Sequence, residues 1–312
     1  MSVGSTPARQ PTRQEEVRGL WLGLLGVVIF AMTLPMTRLA VGPAADPQLP
    51  PLFVTAGRAA LAGLFSVAYL LAVGAPRPQR HQAGRFFVCA AGTVIGFPLF
   101  LGLALRQVDA MHAAVITGVL PLGTAVVAAL ALRQRPSRGF WVCAVLGCAL
   151  VLGFAALQGH GRLSAADGLL LLAVACTAVG YVAGASLSGQ LPPQQVICWV
   201  LVLSLPLTLP VMLATWPAQP VRAASWGGFA YVTVFSMWLG FFAWYRALSL
   251  GGTVRVSQVQ LVQPFLALLF AVPVLGETLE PLTVLFSLAV IATVFVGKRM
   301  PTHVRPLQGG AR

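Results

Sequence analysis

Apolar residues in this chain come in long runs, and the polar residues between them fall into short connectors. The connectors are rich in Pro and Gly, as in PRPQRHQAGR (76–85) and SGQLPP (188–193). A membrane-crossing helix takes about 20 mostly apolar residues. Runs of that length predict ten spans, near 19–40, 52–74, 86–105, 110–132, 139–158, 167–188, 195–216, 226–248, 253–275 and 281–297. What remains is too little for a soluble domain. The first run follows a mixed polar segment and ends in Pro35, Thr37 and Arg38, so it reads as an uncleaved span.

Composition agrees with the pattern. The 312 residues are 58% hydrophobic and 9% charged, with a mean hydropathy of +0.85. A soluble domain of this size needs more polar surface than that. The formal charge of +13 comes from twenty basic residues scattered between the runs, with no stripe or arm to hold nucleic acid. The five cysteines all lie inside apolar runs without CxxC spacing and behave as small hydrophobes. With a cytoplasmic N-terminus, fifteen Lys and Arg fall on inside segments and four (Arg38, Arg106, Arg162, Arg222) on outside ones, while Arg58 lies within span 2. This bias places both termini in the cytoplasm. Residues 1–18 and 298–312 are then cytoplasmic tails.

The chain also repeats itself. At an offset of 143, ALRQVDAMHAAVITGVLP (104–121) aligns with ALSLGGTVRVSQVQLVQP (247–264), and Pro121 matches Pro264. Two five-helix halves, 19–158 and 167–297, would enter the membrane in opposite senses because five is odd. Inverted repeats of this kind mark secondary transporters, with the substrate site near the midplane.

Three stretches of the second half carry a further likeness: YVTVFSMWLGFFAWYRAL (231–248), VSQVQLVQPFLALLFAVPVLGETLEP (256–281) and a small-residue last span ending VGKR (296–299). In the first half PLFVTAGRAALAGL (51–64) sets an arginine early in span 2. In this order the chain resembles the EamA-type family of the drug/metabolite transporter superfamily, over about residues 19–297. The resemblance implies a ten-helix inner-membrane carrier that exports amino acids or related small metabolites, with spans 5 and 10 outside the central ring. Multidrug or other metabolite efflux, and a non-transporting sensor, stay open as alternatives, as does pairing into a homodimer. The family often has a glutamate after span 4, where this chain has RQRPSR (133–138), so a role for paired glutamates does not carry over.

Polar residues inside the spans are the candidate site. Helical spacing puts Val256, Gln260, Gln263, Ala267 and Ala271 on one face of span 9, with Leu261, Phe265, Leu268 and Leu269 elsewhere. The matching face of span 4 carries Ala113, Thr117, Leu120, Thr124 and Ala128. These amides and hydroxyls suit a polar cavity, and equally suit hydrogen bonds between helices. Pro121 and Pro264 remove a backbone hydrogen bond at matched depth and are candidate gating points; Pro35, Pro98, Pro206 and Pro210 are expected to kink their helices too. Span 8 has an aromatic face of Tyr231, Phe235, Trp238, Phe242 and Tyr245, with Trp238 a candidate cavity wall. Phe30, Thr33 and Thr37 in span 1, and Thr177 and Tyr181 in span 6, complete the set. Arg58 has two readings: it binds a substrate carboxylate, or it snorkels outward and holds a helix end. GxxxG spacings at Gly19/Gly23, Gly92/Gly96 and Gly180/Gly184 suit close helix packing.

All seven acids fall outside the predicted hydrocarbon core, so a proton relay could use only His112. The expected mode is facilitative or exchange transport, or weak proton coupling through His112. No paired carboxylates, His/Asp metal cluster, Ser/His arrangement or nucleotide loop occurs near the spans, so neither catalysis nor a cofactor is expected.

Overall fold

The computed structural model describes residues 13–131, 135–159, 161–188, 190–251, 258–299 and 302–303. Val256, Arg9, Arg133, Arg255 and most of both tails lie outside the described residues, as does the side chain of Tyr245. Between its connectors the described chain is helical, apart from one antiparallel pairing of Arg135–Pro136 with Thr302–His303.

Eight helices are long and apolar enough to cross a membrane: Arg13–Val41, Pro51–Ala72, Arg80–Ala104, Ala110–Ala131, Arg138–Gln158, Ala165–Ser188, Pro193–Ala214 and Ala223–Trp244. Two shorter apolar helices, Val259–Leu275 and Pro281–Gly297, follow. They occupy the places of spans 9 and 10, and are called helices 9 and 10 below. Large apolar side chains such as Trp21, Leu71 and Phe87 stand exposed on the outside of the bundle. A helical chain that turns such residues outward needs an apolar solvent around it. This is a multi-pass membrane protein.

The helices pair in a regular way. Helix 2 lies along helix 7, helix 1 along helix 8, helix 5 along helix 10, and helices 3 and 4 against helix 6. Small residues set the closest approach. At the crossing of helices 3 and 6, a Cβ on Gly92 would stand 2.3 Å from the Cys176 carbonyl oxygen and 2.9 Å from the Gly180 Cα. Gly92 and Gly180, one glycine from the GxxxG pair of each helix, therefore face each other across a backbone contact.

Five of the helices are not regular throughout. Helix 1 breaks at Met32 and helix 4 at Gly118–Val119. Helix 9 begins as a 3-10 turn over Gln258–Val262. Each break lies just before a proline: Pro35, Pro121 and Pro264 lack the N–H that would have bonded to the carbonyls of Ala31, Thr117 and Gln260. Helices 3 and 8 widen into π segments, Ala90–Gly96 and Val232–Leu239. The first of these runs up to Pro98; the second has no proline and ends at Gly240. Pro206 and Pro210, by contrast, sit inside the unbroken helix Pro193–Ala214.

Replacing Gly92 by Leu is expected to push helices 3 and 6 apart and cost about 1–3 kcal/mol. The check is thermal unfolding in detergent, with Gly84→Ala as control, because a Cβ there meets nothing within 4 Å. An unchanged Gly92→Leu melting curve would show the crossing to be looser than described.

Candidate functional site

Two small cavities lie where the broken helices converge. One, of about 60 Å³, is lined by Phe30, Thr33, Leu34, Arg58, Thr93, Phe97, Leu120, Thr177, Tyr181, Ser236, Met237, Phe241, Gln260 and Gln263. The other, of about 50 Å³, takes in Ala114, Thr117, Gly118, Pro121, Leu261, Pro264, Ala267, Ile291 and Val294. Leu34, Phe97, Leu120, Gln260 and Gln263 border both, so they form the partition. Each space is far below the roughly 300 Å³ at the lower end for drug-sized ligands.

The breaks explain why these polar groups meet. Thr117 and Gln260 sit beside the carbonyls that the prolines leave without an amide partner. The π segments place one hydroxyl each on the first cavity, Thr93 and Ser236. Ser236 joins two further helices: the Thr33 hydroxyl donates to its Oγ at 2.9 Å, and Arg58 Nη2 donates to it at 3.0 Å. Thr93 and Thr177 instead donate to their own helix carbonyls, Cys89 at 2.7 Å and Ala173 at 2.9 Å.

Arg58 is 3% exposed. It turns into the cavity rather than outward, which corrects the snorkelling expectation. Its Nη2 also contacts Met237 Sδ at 3.7 Å. Its Nε and Nη1 are buried and have no hydrogen-bond partner. A buried guanidinium with idle donors is costly unless an anion completes it.

Gln260, Gln263, Arg58, Thr33 and Tyr181 therefore line one cavity, and Thr117, Pro121 and Pro264 join Gln260 and Gln263 at the other. Thr124 and Trp238 line neither. The break at Gly118–Val119 resets the phase of helix 4, and the Thr124 hydroxyl bonds to the Leu120 carbonyl at 3.0 Å. The wider π turn likewise rotates helix 8, because it holds more residues per turn than an α-helix. Ser236, Met237 and Phe241 then face inward, while Trp238 packs on Phe65 and Phe242. Leu261, expected to point away, borders a cavity, and helix 10 contributes Ile291 and Val294 to its wall. Ser236, Thr93, Phe97 and Phe241 are missed by helical spacing alone. The offset of 143 that pairs Pro121 with Pro264 also pairs Thr93 with Ser236 and could have found both.

At one end of the bundle, hydrogen bonds tie the connectors and helix ends together around a separate vestibule of about 590 Å³ lined by Asp109, His112, Asp167, Glu277 and Glu280 among others. Gly276 (φ +71°) takes the left-handed conformation, ending helix 9 and turning the chain toward helix 4. The Glu277 carboxylate then accepts the backbone N–H groups of Ala110 at 2.7 Å and Met111 at 2.8 Å, at the positive end of helix 4. Burial pushes this carboxyl above the usual carboxylate range; nearby Asp109 adds to the rise, and the two amides and Arg38 oppose it. His112 Nε2 meets Asp167 at 2.6 Å, and Asp167 also accepts the N–H and hydroxyl of Ser164. Arg38 bonds the Leu105 carbonyl, Gln158 donates to Glu280 at 3.0 Å, and the Ala44 N–H donates to the Arg106 carbonyl at 2.7 Å.

Helix bundle, irregular helices and buried polar cavities together describe a membrane carrier class, and the comparisons with known proteins name the family. The EamA-like transporter family matches residues 17–155 and again 164–297. The chain belongs to that family. It is 42% identical over 284 residues to the uncharacterized transporter YdeK of Bacillus subtilis, covering 89% of this chain and 96% of that one. It is 25% identical over 291 residues to a protein of Streptantibioticus cattleyicolor named "Probable terminal-alkyne amino-acid exporter", covering 90% and 94%. A crystal structure 17% identical in sequence superposes with a TM-score of 0.59, covering 89% of this chain and 98% of that one, and shows the same fold.

Each bond from an amide to an ionised carboxylate contributes about 1.5–3 kcal/mol. Glu277→Gln, which loses the charge and one acceptor, is therefore expected to raise the open-to-closed ratio at this end about tenfold or more. Spin labels at Gln107 and Thr278, both on the vestibule, read the distance. A distribution identical to that of the unsubstituted protein would show that Glu277 does not hold this end closed.

Proposed function

We propose that the chain is a secondary transporter that exports amino acids or related small metabolites across the inner membrane by alternating access. Its ten helices form two inverted five-helix repeats, with both termini in the cytoplasm. The observation that carries this reading is Arg58: a guanidinium buried beside Gln260, Gln263 and Ser236, with two donors left for a ligand. The central cavities are the substrate site, and the carboxylate of the substrate completes Arg58.

Several features support the repeat. Lining residues fall in pairs 143 apart: Thr93 with Ser236, Thr117 with Gln260, Leu120 with Gln263, and Pro121 with Pro264. Helix contacts pair in the same sense, helix 1 with 8 answering helix 6 with 3. The family matches each half separately. Orientation rests on the excess of Lys and Arg on one set of connectors. That assignment makes the Glu277 end the outer face, so this conformer is closed to the outside. Cavities this small call for helix movement before a metabolite fits, and the breaks at Pro121 and Pro264 are bending points for it. Export draws support from the name of the Streptantibioticus relative.

The test is counterflow in proteoliposomes, with labelled amino acids and labelled N-acyl and 2-hydroxy acid derivatives of them, each against the same solutes unlabelled and cationic drugs. Native protein is expected to exchange at least one carboxylate solute, and Gln263→Leu to cut that exchange at least tenfold at equal abundance. Exchange unchanged by Gln263→Leu removes helix 9 from the site. Absence of exchange with every solute, by protein shown to be folded, removes the transporter reading.

A further inference from the structure

Among the described residues, Arg58 is the one charged side chain that lines either central cavity. None of the chain's seven acids borders them. Glu15 and Glu16 lie in the first turn of helix 1. Of the other five, Asp46 lies beyond helix 1 on the Arg38–Arg222 side, and the rest border the vestibule. The cavity thus carries one positive charge and no protein counter-ion. Its other polar groups are neutral hydroxyls and amides, those of Thr33, Thr93, Tyr181, Ser236, Gln260 and Gln263 among them.

That imbalance separates two substrate classes that both bring a carboxylate. A zwitterion neutralises Arg58 but adds an ammonium, so the loaded cavity keeps a net positive charge with two cations in a water-poor space. A monoanionic carboxylate leaves the loaded cavity neutral. Such acids carry a hydroxyl, an oxo group or an acylated nitrogen where an amino acid has its ammonium. The neutral donors and acceptors of the cavity can bond each of these. The walls beside Arg58 are apolar, with Phe30, Phe97 and Phe241 among them, and would take an apolar side chain.

We propose that the preferred substrate is a monoanionic carboxylate with an apolar side chain, and that the membrane potential drives its exit. This rests on the transporter reading above and names its substrate class. An anion leaving a cell whose interior is negative moves down the electrical gradient, so net export needs no ionisable relay inside the membrane. The absence of acids from the cavity is then part of the energetics: no coupled proton is taken up or released.

The experiment uses the full chain in proteoliposomes with labelled 3-phenyllactate, N-acetylphenylalanine and phenylalanine, which share one ring. A potassium gradient with valinomycin sets an imposed potential of about 118 mV, equivalent to a hundred-fold gradient of a singly charged solute at about 59 mV per tenfold. Phenyllactate and N-acetylphenylalanine are expected to accumulate on the positive side toward that hundred-fold ratio, unchanged between pH 6 and pH 8. Phenylalanine is expected to move at less than a tenth of their rate and to ignore the potential. Arg58→Gln protein that keeps its melting temperature should lose the preference for the anions, and Arg58→Lys should retain part of it. Phenylalanine transported as fast as the anions, or anion flux that ignores the potential or follows a pH gradient, overturns the proposal while the transporter reading stands. An unchanged preference in folded Arg58→Gln protein does the same. If none of the three moves but another solute exchanges in counterflow, the substrate class is wrong and the carrier remains; if nothing exchanges, both fall.

Discussion

Inside a bilayer no water is present to satisfy backbone amides and carbonyls, so a spanning segment has to bond them internally or hide them in protein. This chain obeys that constraint through most of its length and relaxes it around one central space. Helices 1, 4 and 9 break before prolines, and helices 3 and 8 widen into π turns. Each irregularity puts a residue onto a cavity wall: Leu34, Thr117, Gln260, Thr93 and Ser236. At these five places the loosened backbone lies beside residues that face an interior space, whereas Pro206 and Pro210, exposed on helix 7, lack an amide within an unbroken helix.

The buried guanidinium gives that space its character. Arg58 reaches Ser236 across the contact of helices 2 and 8, and Thr33 bonds the same hydroxyl from helix 1. One serine therefore couples three helices to the charged group. Close approach at Gly92 and Gly180 brings helices 3 and 6 together, and with them the walls carrying Thr93, Thr177 and Tyr181. The Glu277 end is held differently, by a carboxylate on two helix-terminal amides and by bonds between connectors. Those bonds lie outside the apolar core, where water can replace them, which suits a closure that opens. The core crossings, packed backbone on backbone, suit bodies that move as units.

Much of this was legible in the residues. The apolar runs, the paired prolines and the excess of arginine on alternate connectors each reflect a local rule: span length, a missing amide, a charge that resists crossing. Eight of the ten runs are matched by helices long enough to span and two by shorter ones. Gln260 and Gln263 stand on the cavity, as regular helical spacing predicts. Thr124 and Trp238, offered by the same rule, line neither of these two cavities, because the rule assumes 3.6 residues per turn through positions where the chain departs from it. Helix 10 reaches a cavity wall although its composition is nearly all apolar, since being at the wall depends on neighbours rather than on its own polarity.

The sequence by itself determined the class: membrane helices, where they fall along the chain, and which intramembrane residues are polar enough to need partners. Those follow from transfer of side chains and backbone into lipid, which acts residue by residue. Only the tertiary structure decided that Arg58 faces inward with idle donors, that Thr93 and Ser236 belong to the same wall, and that Glu277 caps helix 4. Such facts depend on helical phase after a π turn or proline break and on contacts between residues as far apart as Arg58 and Ser236. No local pattern encodes them, because the energy that selects them arises only when the helices meet.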